Sequence, residues 1–528
     1  MYSQTQDTVA DLIIRNVRIV NPSTASAESL ANIKIKDGLL RLISGDNIEA
    51  DDESLILDAD NGFLLGKLTV GAPPLFMILD ENPINDIKVL LDTSQHVVFA
   101  IEDQTILTNT LTESIVAEAP TTERSNRWLA YDPPPFALPS SIRSEKWNTW
   151  KTKWVNGLFV SALALDRQYI SQDSGSAGQF GDLENERGRG TIRGWRFGTA
   201  GTINFEKPWL YNIAGAWNSF DRGFDSEDGE DEFQLFDFSV DIPVSNKIIA
   251  RVGKQKEPIN MDRSMTMTQI SSQERYAAAD AMLPTRNVGI SLYGSIPDQR
   301  VSWSAGVFND WLTEGEDFNE SASQGVGRVT WVPYLSDDGN TILHVGAGLR
   351  YTDAKQGLAY SSRPEIGNAP KFVDTGFFEA ESSALYNAEL GWRSGPYWLM
   401  AEYSDNRIDA PTVDDPNFTG YHLSAAWSLS GEMRPYRMNR GVFGGLPIAH
   451  NVPGGGAGAL ELGLRYSTLD LTDGGIDGGE IDVSTIQLNW WLTQSMAVSL
   501  NYKHTSTDRF DTVGEMDALV ARVILILQ

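Results

Sequence analysis

The 528-residue chain contains no cysteine, which excludes a disulfide framework and any thiolate metal site. Histidine is scarce too: there are five, His96, His344, His422, His450 and His504, with no His-x-His pair among them. Metal-dependent hydrolysis gathers imidazoles and carboxylates around an activated water. Histidines this scattered speak against such an enzyme, and neither a metal nor a cofactor is expected. Basic residues are outnumbered, 42 Lys and Arg against 71 Asp and Glu, for a formal net charge of −29. Nucleic acid needs clustered cations to meet its phosphates, so it is excluded as a partner. No stretch approaches the ~18 consecutive apolar residues of a membrane helix. A membrane protein of this composition must cross with strands. The opening MYSQTQDTVAD has neither a basic nor an apolar region of the secretory kind; it is no signal peptide, and the chain is read as a mature or engineered form.

What the chain does have is alternation. In the closing stretch, Leu519, Ala521, Val523, Leu525 and Leu527 interleave with Ala518, Val520, Arg522, Ile524 and Ile526. One face is uniformly apolar and the other tolerates an arginine. In lipid, a last strand of this kind pairs with the first so that no edge is left open. The same period recurs near 154–170, 189–205, 208–221, 232–244, 247–256, 286–295, 299–309 and 323–334. It continues near 341–354, 382–394, 397–407, 417–430, 458–471, 479–493, 496–506 and 516–528. These make about sixteen strands, an even number, as bacterial barrels require. Leu343, Val345, Ala347, Leu349 and Tyr351 share one face in the ninth, and His344, Gly346, Gly348 and Arg350 the other.

A soluble sandwich has the same period, and connection lengths separate the two. Turns are tight at Glu206-Lys207, Ser245-Asn246, Pro297-Asp298, Gly395-Pro396 and Gln494-Ser495, all after even-numbered strands. After odd-numbered strands the links 171–188, 222–231, 257–285, 310–322 and 355–381 are longer. Short turns at one rim and long loops at the other mark an outer-membrane barrel, with the turns periplasmic. The Gly/Pro-rich link 431–457 breaks the rule and is read as an extended periplasmic turn.

Residues from about 189 to 528 resemble the phosphate-selective porin O and P family of Gram-negative bacteria. The stretches that carry the likeness are TIRGWRFGTAGTI (191–203), RVGKQKEP (251–258), QERYAAADAMLPTRNVGISLYG (273–294) and WSAGVFND (303–310), then SGEMRPYRMNRGVFGG (430–445) and GALELGLRYSTLDL (458–471). The resemblance implies a sixteen-stranded homotrimeric barrel in outer-membrane lipid, with the third outer loop, here about 257–285, folded inward to narrow the pore. Barrels of this kind usually end in an aromatic residue, and this chain ends in Gln528.

The first 120 residues differ in kind. Residues 11–65 resemble the N-terminal β-sandwich strands of amidohydrolases, and 66–107 the strands that follow their catalytic barrel. The two parts meet at Leu65-Gly66, with the barrel between them absent. Apolar strands split by Asp37-Gly38 and Asn61-Gly62 turn signals specify a compact β-sandwich, expected over 1–117 and in the periplasm. It holds one histidine, His96, read as structural, and no catalytic role is expected. A linker over 118–145 contains Pro133-Pro134-Pro135, a stiff spacer. The porin barrel then occupies 146–528. A periplasmic or cell-wall partner for the sandwich is a role to weigh, as is contact with trimer neighbours or, less favoured, a plug.

The candidate pore lining is cationic. Arg251, Arg328, Arg350, Arg393, Arg465 and Arg522 fall on inward faces, with Glu389 and Glu461 as inward acids, and Lys256, Arg263, Arg275 and Arg286 lie along the inward loop. Fixed charge at a constriction selects ions, and arginine grips oxyanions with two parallel donors. Small anions, phosphate among them, are the expected solutes. The rival reading has these arginines pair with lumen acids and brace the wall. The acidic stretch 221–233 invites a calcium reading through Asp225, Glu227, Asp228, Glu230 and Asp231, but it lacks the order of a preformed loop, and a solvated outer loop is favoured. Trp150, Trp154, Trp195, Trp209, Trp331, Trp392, Trp398, Trp427 and Trp490 suit girdles at the lipid boundary; any that face inward would suit a sugar-stacking path. Two functions stand against each other: a passive anion porin, and a barrel that tethers the N-terminal domain to an envelope partner.

Overall fold

The computed structural model describes residues 11–113 apart from 22–25, 37–38, 45–47, 49–54, 61, 69–71, 84–86, 91–95, 103–104 and 110, and residues 148–527 apart from 184–189, 218–232, 246, 311–321, 355–356 and 449. The linker 118–145 and the acidic residues of 221–232, on which the spacer and calcium readings fall, lie outside these. The chain divides into two compact units, Met1–Thr122 and Glu123–Gln528.

Among its described residues the first unit forms a nine-stranded sheet. Asp11–Asn21 lies at its centre, antiparallel to Ser26–Lys36 and parallel to both Leu55–Asp58 and Phe63–Lys67. Phe63–Lys67, which contains the Leu65-Gly66 joint, also pairs with Leu75–Leu79. Residues on both sides of Leu65-Gly66 thus share one hydrogen-bonded mixed sheet. Leu12, Ile14, Val17, Ile33, Leu57, Leu64, Ile78 and Phe99 form its core. His96 precedes the strand Val97–Glu102, its Nδ1 2.9 Å from Asp80 Oδ1.

The second unit is a closed antiparallel barrel of sixteen strands. In order they are Val155–Gln172, Gly190–Ile203, Trp209–Trp217, Phe233–Ser245, Ile248–Gln255, Asn287–Ile296, Val301–Asn309 and Ser323–Leu335, then Thr341–Asp353, Ser382–Ser394, Tyr397–Asp409, Asn417–Ser428, Ala459–Asp473, Ile476–Thr493, Met496–Arg509 and Thr512–Leu527. Closure runs from Ser161↔Leu527 to Gln172↔Met516. Thr149–Lys151 pairs with Asn156–Leu158, the part of the first strand beyond the reach of the last. It therefore prolongs the line of the sixteenth strand at the turn-side rim.

Side chains are inverted relative to a soluble protein. Phe197, Leu292, Val329, Leu349, Leu464, Leu488 and Leu525 point outward and are exposed, while Ser239, Arg328, Glu402, Gln487 and Lys503 point inward and are buried. An apolar band outside a polar interior is the arrangement lipid demands. On the loop side, the last two links are short: the thirteenth and fourteenth strands run on to a turn at Gly474-Gly475, and the final hairpin turns at Phe510-Asp511.

Among the described residues, three connections reach into the lumen. The loop 256–286 carries the short helices Met261–Ser264 and Ala277–Met282. The link 354–381 carries a small hairpin, Ser361–Ser362 with Val373–Asp374. The turn-side link 429–458 carries another, Tyr436–Arg437 with Val442–Phe443. Ala277, Ala278, Tyr360, Phe372 and Phe418 pack in one apolar cluster, and Met261, Met265, Trp398, Tyr436 and Phe443 in a second. The expectation for 431–457 is therefore corrected: it is an insert that enters the lumen, because Tyr436, Met438, Val442 and Phe443 find an apolar partner there. Trp398 is corrected likewise. It faces inward, 3% exposed, with its ring against Phe443.

Candidate pore lining

The loop 256–286 crosses the lumen because the opposite wall holds it. Glu402, on the eleventh strand, accepts from the Asp262 backbone N–H (2.9 Å), Asn260 Nδ2 (2.8 Å) and Tyr276 Oη (3.0 Å). Its carboxylate thus satisfies donors at the start of the first loop helix. Ser271 reaches Glu461, Ser272 reaches Gln487, and Gln273 reaches Ser499 on three successive strands. Gly348 on the ninth strand makes room: a Cβ there would collide with the Ile259 carbonyl oxygen.

Every cation singled out from the sequence is engaged. Arg251 grips Asp241 with two donors, the Nη2 bond at 2.8 Å. Arg328 meets Glu389 at 2.9 Å and the Arg440 and Gly441 carbonyls at 2.7 Å. Arg350 meets Glu257 at 2.7 Å, and Arg275 meets Asp262 at 2.7 Å. Arg286 pairs with Asp237 at 3.0 Å and lies 3.9 Å over the Phe236 ring. Arg465 pairs with Glu365, which also holds Lys503. Arg522 binds Asp166 at 2.7 Å and also Glu274, which in turn holds Arg193 at 2.6 Å. Arg263 donates to the Ala279 (2.8 Å) and Leu283 carbonyls. Arg393 donates to the Arg434 (2.7 Å) and Gly339 carbonyls, and Lys256 to the Met265 carbonyl at 2.9 Å. The bracing reading thus describes the contacts of these residues.

Burial pushes the Glu274 carboxyl up, but the fields of Arg193 and Arg522 outweigh it and hold the group at about 2. Glu274 is ionised at any physiological pH and clips the loop to the wall on both sides.

Along strands three to eight lie two adjoining cavities, taken together as the candidate passage. An inner cavity of about 50 Å³ is lined by Asn212, Ser239, Arg251, Lys256, Ser304 and Arg328, with Arg437 and Arg440 of the turn-side insert. A second cavity of about 350 Å³ shares Tyr293, Asn439 and Arg440 with the first and runs to the turn-side rim past Leu210, Pro243, Ile249 and Lys247. Arg440 stands at the junction. Among the described residues it has no carboxylate partner, and its guanidinium lies 5.7 Å over Tyr293.

Sequence reasoning missed Arg434, Arg437 and Arg440. Arg434 is buried, donates to Glu461 through Nε (3.1 Å) and Nη2 (2.6 and 2.8 Å) and to the Gln269 carbonyl (2.6 Å), and so joins the insert to the loop. The signal was three arginines at a spacing of three in MRPYRMNR. Read as a turn, they had no face to point to.

The family model for phosphate-selective porins O and P matches residues 167–527. An uncharacterized protein of Caulobacter vibrioides is 28% identical over 270 residues, covering 48% of this chain and 53% of that one. The match thus spans about half the length of that relative. Porin O of Pseudomonas aeruginosa is 23% identical over 342 residues, covering 57% of this chain and 74% of that one. Among solved structures, the outer membrane channel DcaP of Acinetobacter baumannii has a TM-score of 0.44 at 11% identity, covering 72% of this chain and 99% of that one. An anion-selective porin from Comamonas acidovorans gives 0.43 at 13%, covering 71% and 100%. These matches lend no support to the amidohydrolase resemblance of the first unit.

Proposed function

Because the chain belongs to the phosphate-selective porin O and P family, we propose that this outer-membrane channel is a passive diffusion pore that favours small anions, phosphate among them. The observation that carries the reading is the residual passage. Its acids Asp237, Asp241 and Glu257 are each held by an arginine, whereas Arg440 is not neutralised by any described carboxylate. The mobile ion therefore meets net positive charge where water is scarce and screening weak. The paired arginines still matter, since they keep the acids from repelling anions.

The test is the reversal potential of single channels in a salt gradient. Anion preference is the expected result, and cation preference sinks the selectivity while leaving the channel.

The pore is proposed to work as a homotrimer in outer-membrane lipid, with the first unit non-catalytic and in the periplasm. That unit has an apolar core of its own, which favours a second role as a contact for a periplasmic protein or the cell wall. Deleting 1–122 separates the two roles: a porin keeps its conductance, and a tether loses its partner.

A further inference from the structure

The two cavities differ in chemistry. The inner one is walled by Asn212, Ser239, Gln255, Ser302, Ser304 and Thr330 beside its charges. That surface suits a hydrated ion. The turn-side vestibule is walled by Pro208, Leu210, Pro243, Ile248 and Ile249, with Arg440, Asn439 and Tyr293 closing its inner end. An inorganic anion gains nothing from those apolar walls and loses water to them. The Asp241 carboxylate at its edge is already satisfied by Arg251, so Arg440 and the exposed Lys247 set the local sign.

We propose that this vestibule binds small monocarboxylates with a hydrocarbon body, the carboxylate on Arg440 and the body against Leu210, Pro243 and Ile249. The inference rests on the same passage as the porin reading and narrows its substrate class. A volume of about 350 Å³ accommodates such a molecule. Binding sites for small organic molecules are mostly apolar with a few placed polar groups, and this is that composition. Guanidinium suits the head group because two of its N–H donors match the two carboxylate oxygens. The Tyr293 ring carries Arg251 at 5.3 Å and Arg440 at 5.7 Å, which holds Arg440 at the inner end of the vestibule.

The test is a chain-length series on the full protein in detergent. Acetate, butyrate, hexanoate and inorganic phosphate are titrated by calorimetry, and the same preparation is reconstituted for single-channel recording. Affinity should rise on the order of three-fold per methylene that is buried, with hexanoate well above phosphate. Arg440→Gln should lower hexanoate affinity about ten-fold, the loss of a charge-assisted pair. Leu210→Asn should bring hexanoate down towards acetate. Heat-modifiable mobility shows that each variant is folded. A flat series, phosphate binding as tightly as hexanoate, or hexanoate binding unchanged in Arg440→Gln overturns the proposal. Chain-length-dependent binding with no channel activity would instead remove the porin reading and leave the site standing.

Discussion

Arg434 and Glu461 show how single residues decide whether the pore is narrow. Both are buried, and Arg434 lies 4.7 Å over the Trp398 ring while donating to both carboxylate oxygens of Glu461 through Nε and Nη2. Removing one partner of a buried pair leaves the other charge uncompensated, at about 3–5 kcal/mol. Burial of Tyr436, Met438, Val442 and Phe443, at about 1.5–3 kcal/mol each, outweighs that cost, so Glu461→Ala should loosen the 429–458 insert without expelling it while the strand ladder persists. The expected readout is larger, noisier single-channel conductance with unchanged β-sheet circular dichroism. Glu274 gives a pH dependence. Its folded value of about 2 lies below the ordinary 4.5, so its stabilisation is in full force above pH 4.5 and drains away as pH falls towards 2. Conductance should hold steady from neutral pH to about 5 and drift below that, and Glu274→Gln should show the drifted conductance already at neutral pH.

At the level of elements, strands were legible in the sequence and inserts were not. Alternation survives in a barrel wall because one face meets lipid and the other the lumen, so Leu343 to Tyr351 could be split into faces by eye. Trp398 was legible by the same rule: it shares parity with Met400 and Glu402, both inward, and only the prior for tryptophan at a lipid boundary hid it. The insert 429–458 was not, because Gly and Pro composition marks a loop without saying on which side of the wall it folds. The wall glycines hold the missing information. Gly348 lies against the Ile259 carbonyl, and a Cβ at Gly391 would sit 2.7 Å from the Phe443 ring. Gly348→Val should therefore push the loop 256–286 off the ninth strand and widen the inner cavity. Conductance should rise roughly two-fold or more, since a constriction dominates the resistance of a pore. An unchanged conductance would mean that the loop is not the constriction.

The whole molecule is two units with separate cores, and that separation is testable without knowing any ligand. Leu12, Ile33, Leu64 and Phe99 belong to a cluster confined to the first unit, whereas the second is closed by the register of its first and last strands. Hydrogen-bonded closure with no free edge makes the barrel slow to unfold, while a sheet built on a small core is ordinary in stability. The full chain in detergent should accordingly melt in two steps, the earlier one belonging to residues 1–122. Deleting those residues should abolish that step, preserve heat-modifiable migration of the remainder, and leave the reversal potential where it was. Residues 1–122 expressed alone should give a soluble β-rich domain with the same first midpoint. A single transition shared by both units, or a barrel that no longer closes after the deletion, would show that the first unit is part of the barrel's own stability and not an independent passenger on it.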